Sequence, residues 1–338
     1  MLEIITADDE QRWNEIIRSM DAYDFYHLAF YQQLDASGRA LLLHFQNGAA
    51  SFALPVVVRK IEGTDWHDLT SVYGYAGPLS RDEHPAAEDI RLFQEALKDY
   101  FDAHRIVSVF SRLHPLLENQ KRLLNGLGEV NNLNLTVGID LRVPESEQRK
   151  QYARSLKYKI NYLKKKGITI VKASSKEEVN AFIRIYEENM DRVQAARSYY
   201  FSPEYFHAIL EKTDACIFLA VYRGEWISGT LCTFCNGFMQ AHLNATKNDF
   251  LPLSPLKLVL EQARIEGMER GMSYLHLGGG RDGKNDSLFD FKSRFSTIHF
   301  PFKIWKYIHN RNMYEALSLG KREENGSENF FPLYRTNS

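Results

Sequence analysis

No stretch of this 338-residue chain is apolar for long enough to cross a bilayer. Apolar runs such as Ala40-Leu41-Leu42-Leu43 fall far short of the roughly 20 residues a spanning helix needs. The start, Met1-Leu2-Glu3-Ile4-Ile5, lacks the basic flank and apolar centre of a secretory signal, so a cytoplasmic location is expected. A charge surplus is missing too: 42 Lys and Arg against 43 Asp and Glu leave a net charge of −1. Such a chain is not a polyelectrolyte binder as a whole. DNA is therefore not an expected partner, and any RNA contact must be local. Cysteine is scarce, with Cys216, Cys232 and Cys235 the only three. Cys232 and Cys235 sit in a strand-like stretch where residues three apart point to opposite faces, so one metal ion does not readily take both. Small buried thiols in a reducing compartment are expected, and no metal.

What is present is a globular composition, 44% hydrophobic and 25% charged, in a chain long enough for two cores. The order of elements repeats loosely. In the first half a helix (7–20) precedes strands at 40–46 and 51–59 around the Asn47-Gly48 turn, then a helix (86–104) and a strand (106–110). In the second half 143–166 reads as one long helix and 168–172 as a strand. Ser175-Lys176-Glu177-Glu178 opens a helix to about 193 with a capping box. Ser202-Pro203 opens the next, with Pro at its first position. Strands at 216–222, 226–234 and 238–245 follow, with turns at Arg223-Gly224 and Asn236-Gly237. Ser254-Pro255 begins a helix ending near Gly271, and 274–277 is a strand. This gives an α/β (α+β) chain with mixed central sheets flanked by helices. The domains expected are 1–138 and 139–319, with the polar tail 320–338 joining the first through Phe330, Phe331 and Leu333.

The densest chemistry lies in Leu275-His276-Leu277-Gly278-Gly279-Gly280-Arg281 and the following Asp286-Ser287-Leu288-Phe289-Asp290-Phe291-Lys292. Gly278, Gly279 and Gly280 let a strand end turn freely and offer its N–H groups, or simply make a tight turn. Asp286 is a natural N-cap for the helix that follows. At about 100° per residue, Leu288, Phe289, Phe291 and Phe295 share a face, and Lys292 projects into that arc at about 40° from Leu288. A lysine there either snorkels out or meets an anion. The glycine turn upstream favours the anion. No general base stands out. His276 reads as a core position, Asp286 as a cap, and Asp282 is open. Residues 149–166 carry eight basic side chains: Arg149, Lys150, Arg154, Lys157, Lys159, Lys164, Lys165 and Lys166. With tyrosines interleaved they suit an RNA backbone or anionic headgroups, though a solvated helix face explains most such runs.

HLGGGRDGKNDSLFDFKSRFS resembles the C-terminal signature of the Fem-type peptidoglycan-bridge transferases, a branch of the GNAT acyltransferase superfamily. Ile139-Asp140-Leu141 before the basic helix resembles the family's passage into its second domain. Ile185-Tyr186-Glu187-Glu188-Asn189-Met190-Asp191-Arg192 with Tyr199-Tyr200-Phe201 resembles another family block, and Tyr73-Gly74-Tyr75-Ala76-Gly77-Pro78 a tyrosine-glycine loop of the first domain. Together these cover roughly residues 70 to 300.

The resemblance implies tandem GNAT-like domains and transfer of an amino acid from aminoacyl-tRNA to the amine of a peptidoglycan precursor, soluble or lipid-linked. It implies a cytoplasmic enzyme, either free or at the inner face of the membrane, and no cofactor. Lys292 would hold the charge that develops on the carbonyl oxygen, with Phe291 its aromatic neighbour. Arg192 would clamp a phosphate or carboxylate, with Tyr199 and Tyr200 lining the cleft. Tyr73 and Tyr75 would shape the acceptor pocket. Arg154, Lys157, Lys164 and Lys165 would contact tRNA. Surface arginine, scaffold aromatics and core packing are the plain alternatives for these residues. GNAT acetyltransferases hold the coenzyme A pyrophosphate on a glycine-rich turn, yet 244–255 has no glycine. Ser254 still opens a helix whose first N–H groups attract anions. An acyl-CoA-dependent N-acyltransferase acting on a cell-surface saccharide precursor is the alternative enzyme. An RNA- or anionic-surface binding module is the non-catalytic one.

Overall fold

The computed structural model describes residues 1–281, 286–321 and 330–336. They form two compact units, 1–133 with 301–338, and 134–300. Residues 301–319, expected with the second domain, thus group with the first. The reason is β pairing: residues 304–308 run antiparallel to 108–112 of the first unit.

In the first unit the elements run β1 (Leu2–Thr6), α1 (Glu10–Arg18), α2 (Ala29–Gln33), β2 (Arg39–Asn47), β3 (Ala50–Lys60), β4 (His67–Thr70), β5 (Leu79–Ser80), α3 (Ala87–Ala103), β6 (Ile106–Arg112) and α4 (Asn119–Leu123). Strand order is β1-β2-β3-β4-β6, with β5 beside β3. Phe93, Leu97 and Phe101 of α3 pack on Leu43, Phe52 and Leu54 of the sheet. The chain continues through β7 (Glu129–Asp140), α5 (Glu145–Lys150), α6 (Arg154–Lys165), β8 (Thr169–Lys172), α7 (Lys176–Arg192), α8 (Pro203–Lys212), β9 (Asp214–Tyr222), β10 (Glu225–Cys235), β11 (Phe238–Thr246), α9 (Leu256–Glu269), β12 (Tyr274–Gly278) and α10 (Ser287–Ser293). It ends in β13 (His299–Ile308) and α11 (Arg311–Ser318), which complete the first unit.

The second unit's sheet has the order β7-β12-β11-β10-β9-β8. β11 and β12 are parallel; the other neighbours are antiparallel. The capping box of α7 is made as expected: Ser175 accepts from the Glu178 N–H and Glu178 accepts from the Ser175 N–H. The Arg223-Gly224 and Asn236-Gly237 turns have positive φ at both residues, the conformation that two-residue hairpins require. On one face of the sheet, Val259, Leu260 and Ala263 of α9 and Leu156, Ile160 and Leu163 of α6 bury against Phe218, Cys232, Met239 and Leu275. Cys216 and Cys232 face each other across β9 and β10 as free, buried thiols.

The expected long helix over 143–166 is instead two helices broken at 151–153. Arg294 O accepts the Ala153 N–H at 2.9 Å, and Gln151 Oε1 accepts from Ser296 Oγ at 2.9 Å. These bonds replace the continuing helical ladder with a tie to the segment after α10.

Gly229 of β10 shows how closely α7 sits on the other face. A Cβ there would lie 2.8 Å from the Phe182 ring and 2.9 Å from both Leu219 Cδ2 and Phe218 O. Gly229→Ala is expected to destabilise the second unit by about 1–3 kcal/mol through overpacking. Thermal melting should fall by about 2 °C or more; an unchanged melting curve would show that α7 gives way.

Candidate functional site

The parallel ladder between β11 and β12 covers three residue pairs, Phe238–Tyr274 to Gln240–His276. Just beyond it the register of β10 and β11 slips: Leu231 pairs with Leu243 but Cys232 with Ala241. His242 is therefore a bulge residue, and it turns the strand where its pairing with β12 ends. β12 turns away at Gly278, whose φ is +74°. The two strands thus leave a wedge between residues 241–246 and 277–280.

The candidate lysine lies beside this wedge. Asp286 caps α10, accepting from the Leu288 and Phe289 N–H groups at 3.0 Å, and its other oxygen accepts from Arg281 Nε at 3.1 Å. Lys292, on the last turn, is half-buried and donates from Nζ to Gly279 O at 2.7 Å. Its partner is a carbonyl of the glycine turn rather than an anion, and it does not run out to solvent. Its other two N–H groups have no hydrogen-bond partner among the described residues. Burial lowers its pKa from the ordinary lysine range to about 8, against an opposing pull from Asp286. Gly279 is held close to β7: a Cβ there would sit 2.9 Å from Leu135 O. Phe291 packs on the core, with its ring edge-on to Phe295. Asp282 lies outside the described residues.

Ser254 lies at the mouth of an open groove of about 650 Å³, lined also by Arg154, Ser155, Tyr158, Lys159 and Lys257. It adopts a left-handed conformation, φ +53°, just before α9. Neither α6 nor α9 has a side-chain cap at its N-terminus, so both bring a positive dipole end to this region. Arg294 donates to Ser155 Oγ at 3.1 Å. Burial, then Arg294 and Lys159, lower the pKa of Lys257. Lys257 also stands 6.0 Å from the centre of the Phe291 ring, which joins the groove to α10. None of Arg154, Lys159, Lys257 and Arg294 forms an ion pair among the described residues. Unneutralised cations at two helix starts suit phosphate oxygens.

The basic run divides accordingly. Arg149 turns inward to Glu261 at 2.8 Å, within a buried network of Tyr152, Arg264 and Gln148, and Lys150 pairs with Glu147. Arg154, Lys157, Lys164 and Lys165 fall within a sector of about 100°, opposite the buried Leu156, Ile160 and Leu163.

Arg192, Tyr199 and Tyr200 come together at the end of α7, but through local bonds. Arg192 donates to Asn189 Oδ1, Tyr199 O accepts from Tyr186, and the Tyr200 hydroxyl donates to Asp191 at 3.0 Å. Tyr73 and Tyr75 belong to the first unit. Tyr31 donates to Tyr73 O at 3.0 Å, and the Tyr75 ring stands edge-on to Tyr26 and Phe302. Burial raises the Tyr75 hydroxyl well above its ordinary range.

Three features escaped the sequence reading. Lys257 and Arg294 join the groove from separate segments, Lys257 three residues after Ser254, which was the available signal. The bulge at His242 places that ring 2.7 Å from the Tyr205 hydroxyl, and burial holds the imidazole neutral, with its pKa lowered to about 3. Asn244, two residues on, has no mark in sequence.

Residues 149–293 match the family model described as an acetyltransferase (GNAT) domain. The chain is similar in structure to FemX, with a TM-score of 0.73 at 14% identity over 94% of this chain and 99% of that one. It is also similar to the L-PGS of Bacillus licheniformis, with a TM-score of 0.57 at 15% identity over 90% and 93%. A third likeness is to a tandem GNAT protein of the clavulanic acid biosynthesis pathway, with a TM-score of 0.50 at 11% identity over 91% and 99%. No relative among curated proteins matches by sequence. Residues 149–293 thus form a GNAT-type acyltransferase domain, and the chain as a whole shares its fold with FemX and the tandem GNAT protein.

Proposed function

We propose that the protein moves an amino acid from aminoacyl-tRNA to the amine of a peptidoglycan precursor peptide. The observation that carries the RNA donor is the length of unpaired positive charge. A pyrophosphate needs only the first turn of one helix. Here cations begin at the starts of two helices and continue along one face of α6, whose twelve residues span about 18 Å. A run of phosphates suits that face better than a single pyrophosphate. The acceptor follows from the resemblance of the glycine-lysine block to the Fem-type transferases.

In the reaction the acceptor nitrogen attacks the ester carbonyl carbon. A C–N bond forms, the C–O bond to the ribose breaks, the nitrogen loses a proton and the ribose oxygen gains one. Negative charge gathers on the carbonyl oxygen meanwhile. The Lys292 ammonium, already desolvated and anchored on Gly279 O, has N–H groups to offer that oxygen. One well-placed donor is worth about 3 kcal/mol, on the order of 100-fold in rate.

Labelled aminoacyl-tRNA offered with cell-wall precursors is expected to transfer its label, with Lys292→Met losing about 100-fold or more while remaining folded. Transfer from acetyl-CoA alone would move the protein to the acyl-CoA-dependent reading. Transfer at the wild-type rate by Lys292→Met would remove the lysine from the chemistry.

The pKa of about 8 sets a second expectation. Lys292 is charged below that pH and neutral above it, so turnover should fall as pH rises through about 8. The residual activity of Lys292→Arg should lack that limb, because a guanidinium stays charged. A rise in rate through pH 8 that Lys292→Arg lacks would instead mark Lys292 as a base.

A further inference from the structure

Asn244 carries an oxygen that the fold leaves unused. Its Nδ2 donates to Ala241 O at 3.1 Å, which fixes which end of the amide is which. Oδ1 is then buried, with no hydrogen-bond partner among the described residues. A buried carbonyl oxygen without a partner is costly and uncommon, and calls for an explanation.

Its position supplies one. Without the bulge, Asn244 would share the orientation of Gln240, on the face that meets α7 and α8. The extra residue at His242 reverses the alternation. Asn244 pairs with Thr230, and Thr230 with Phe218, a member of the core beneath α9 and α6. The side chain therefore turns toward the α9 face, at the level where β11 has already parted from β12. That is the face of the phosphate-attracting groove and of Phe291 and Lys292. Ala241 O, to which the amide is tied, belongs to the bulge itself, so the side chain is held rather than free to rotate.

We infer that Asn244 Oδ1 is the acceptor for an N–H group of the donor substrate, and that it thereby selects the acyl group transferred. The inference rests on the transferase reading above. It needs a donor with an N–H near the reacting carbonyl. Two sources have that chemistry: the α-ammonium of an aminoacyl ester, and the amide of a pantetheine arm. An ester lacking the α-nitrogen leaves the oxygen buried and unpaired, which is how such sites reject an analogue.

The test compares an RNA minihelix charged with alanine with the same RNA charged with propionate, and measures coenzyme A binding separately. Wild-type protein is expected to prefer the alanyl ester about tenfold or more in kcat/KM. Asn244→Ala should lose that preference while keeping its turnover of the propionyl ester within about threefold. That retained propionyl turnover, with an unchanged melting curve, guards against a variant that merely unfolds. If neither RNA is a donor but coenzyme A binds about tenfold more weakly to Asn244→Ala, the acceptor role stands with the pantetheine amide, and only the RNA donor reading fails. If the alanyl preference survives in Asn244→Ala and coenzyme A binding is unchanged, the assignment is overturned.

Discussion

β11 and β12 hold one another through three residue pairs, and their parting is the constraint on which the second unit's chemistry depends. Parallel strands normally continue their ladder until one of them ends. Here the slip at His242 rotates β11, and the positive φ at Gly278 turns β12 away. Backbone groups at the centre of a sheet are thereby released from pairing with each other. α9 starts beyond the end of β11 and α10 follows the turn after β12, so both helices open on this end of the unit. The wedge, the helix starts and Lys292 thus lie together where these two strands part.

Charge is arranged around that opening by omission as much as by placement. Several other cations of the second unit are matched: Arg264 with Glu261, Arg270 with Asp214 and Glu266, Arg142 with Asp140. Around the groove Arg154, Lys159, Lys257 and Arg294 are left without carboxylates. Lys257 feels the cost, since its neighbours and its burial both disfavour its charged form. An anion relieves that repulsion. The lysine on α10 is desolvated as well, but it is steadied by a carbonyl rather than an acid. No carboxylate among the described residues forms an ion pair with it.

Much of the fold was legible in sequence where the signals are local. The Asn236-Gly237 and Arg223-Gly224 hairpins and the Ser175–Glu178 box each depend on a few adjacent residues, and each is made as expected. The break at 151–153 was not legible, because its cause is a bond to Arg294, far along the chain. β7 was missed because its first half is exposed and rich in asparagine, with alternation too weak to mark a strand. β13 carries Pro301, which argues against a strand until its partner is known. The site divides in the same way. Lys292 stands out as a cation in an apolar arc, and Ser254-Pro255 as a helix start. Lys257 and Arg294 matter only because folding brings them to the same groove. Asn244 matters only because a bulge reverses its face, and a bulge is set by register rather than by residue type.

Under the proposed transfer, the donor's phosphates sit in the groove at the starts of α6 and α9. The most direct measurement is the salt dependence of binding of a single-stranded RNA ending in CCA. Contacts from Arg154, Lys159, Lys257 and Arg294 predict a slope of about −3 in log affinity against log salt. The slope should become shallower by about 1.4 when Arg154 and Lys257 are both replaced by alanine. Affinity that does not change with salt, or an equal slope in the double variant, would contradict the account.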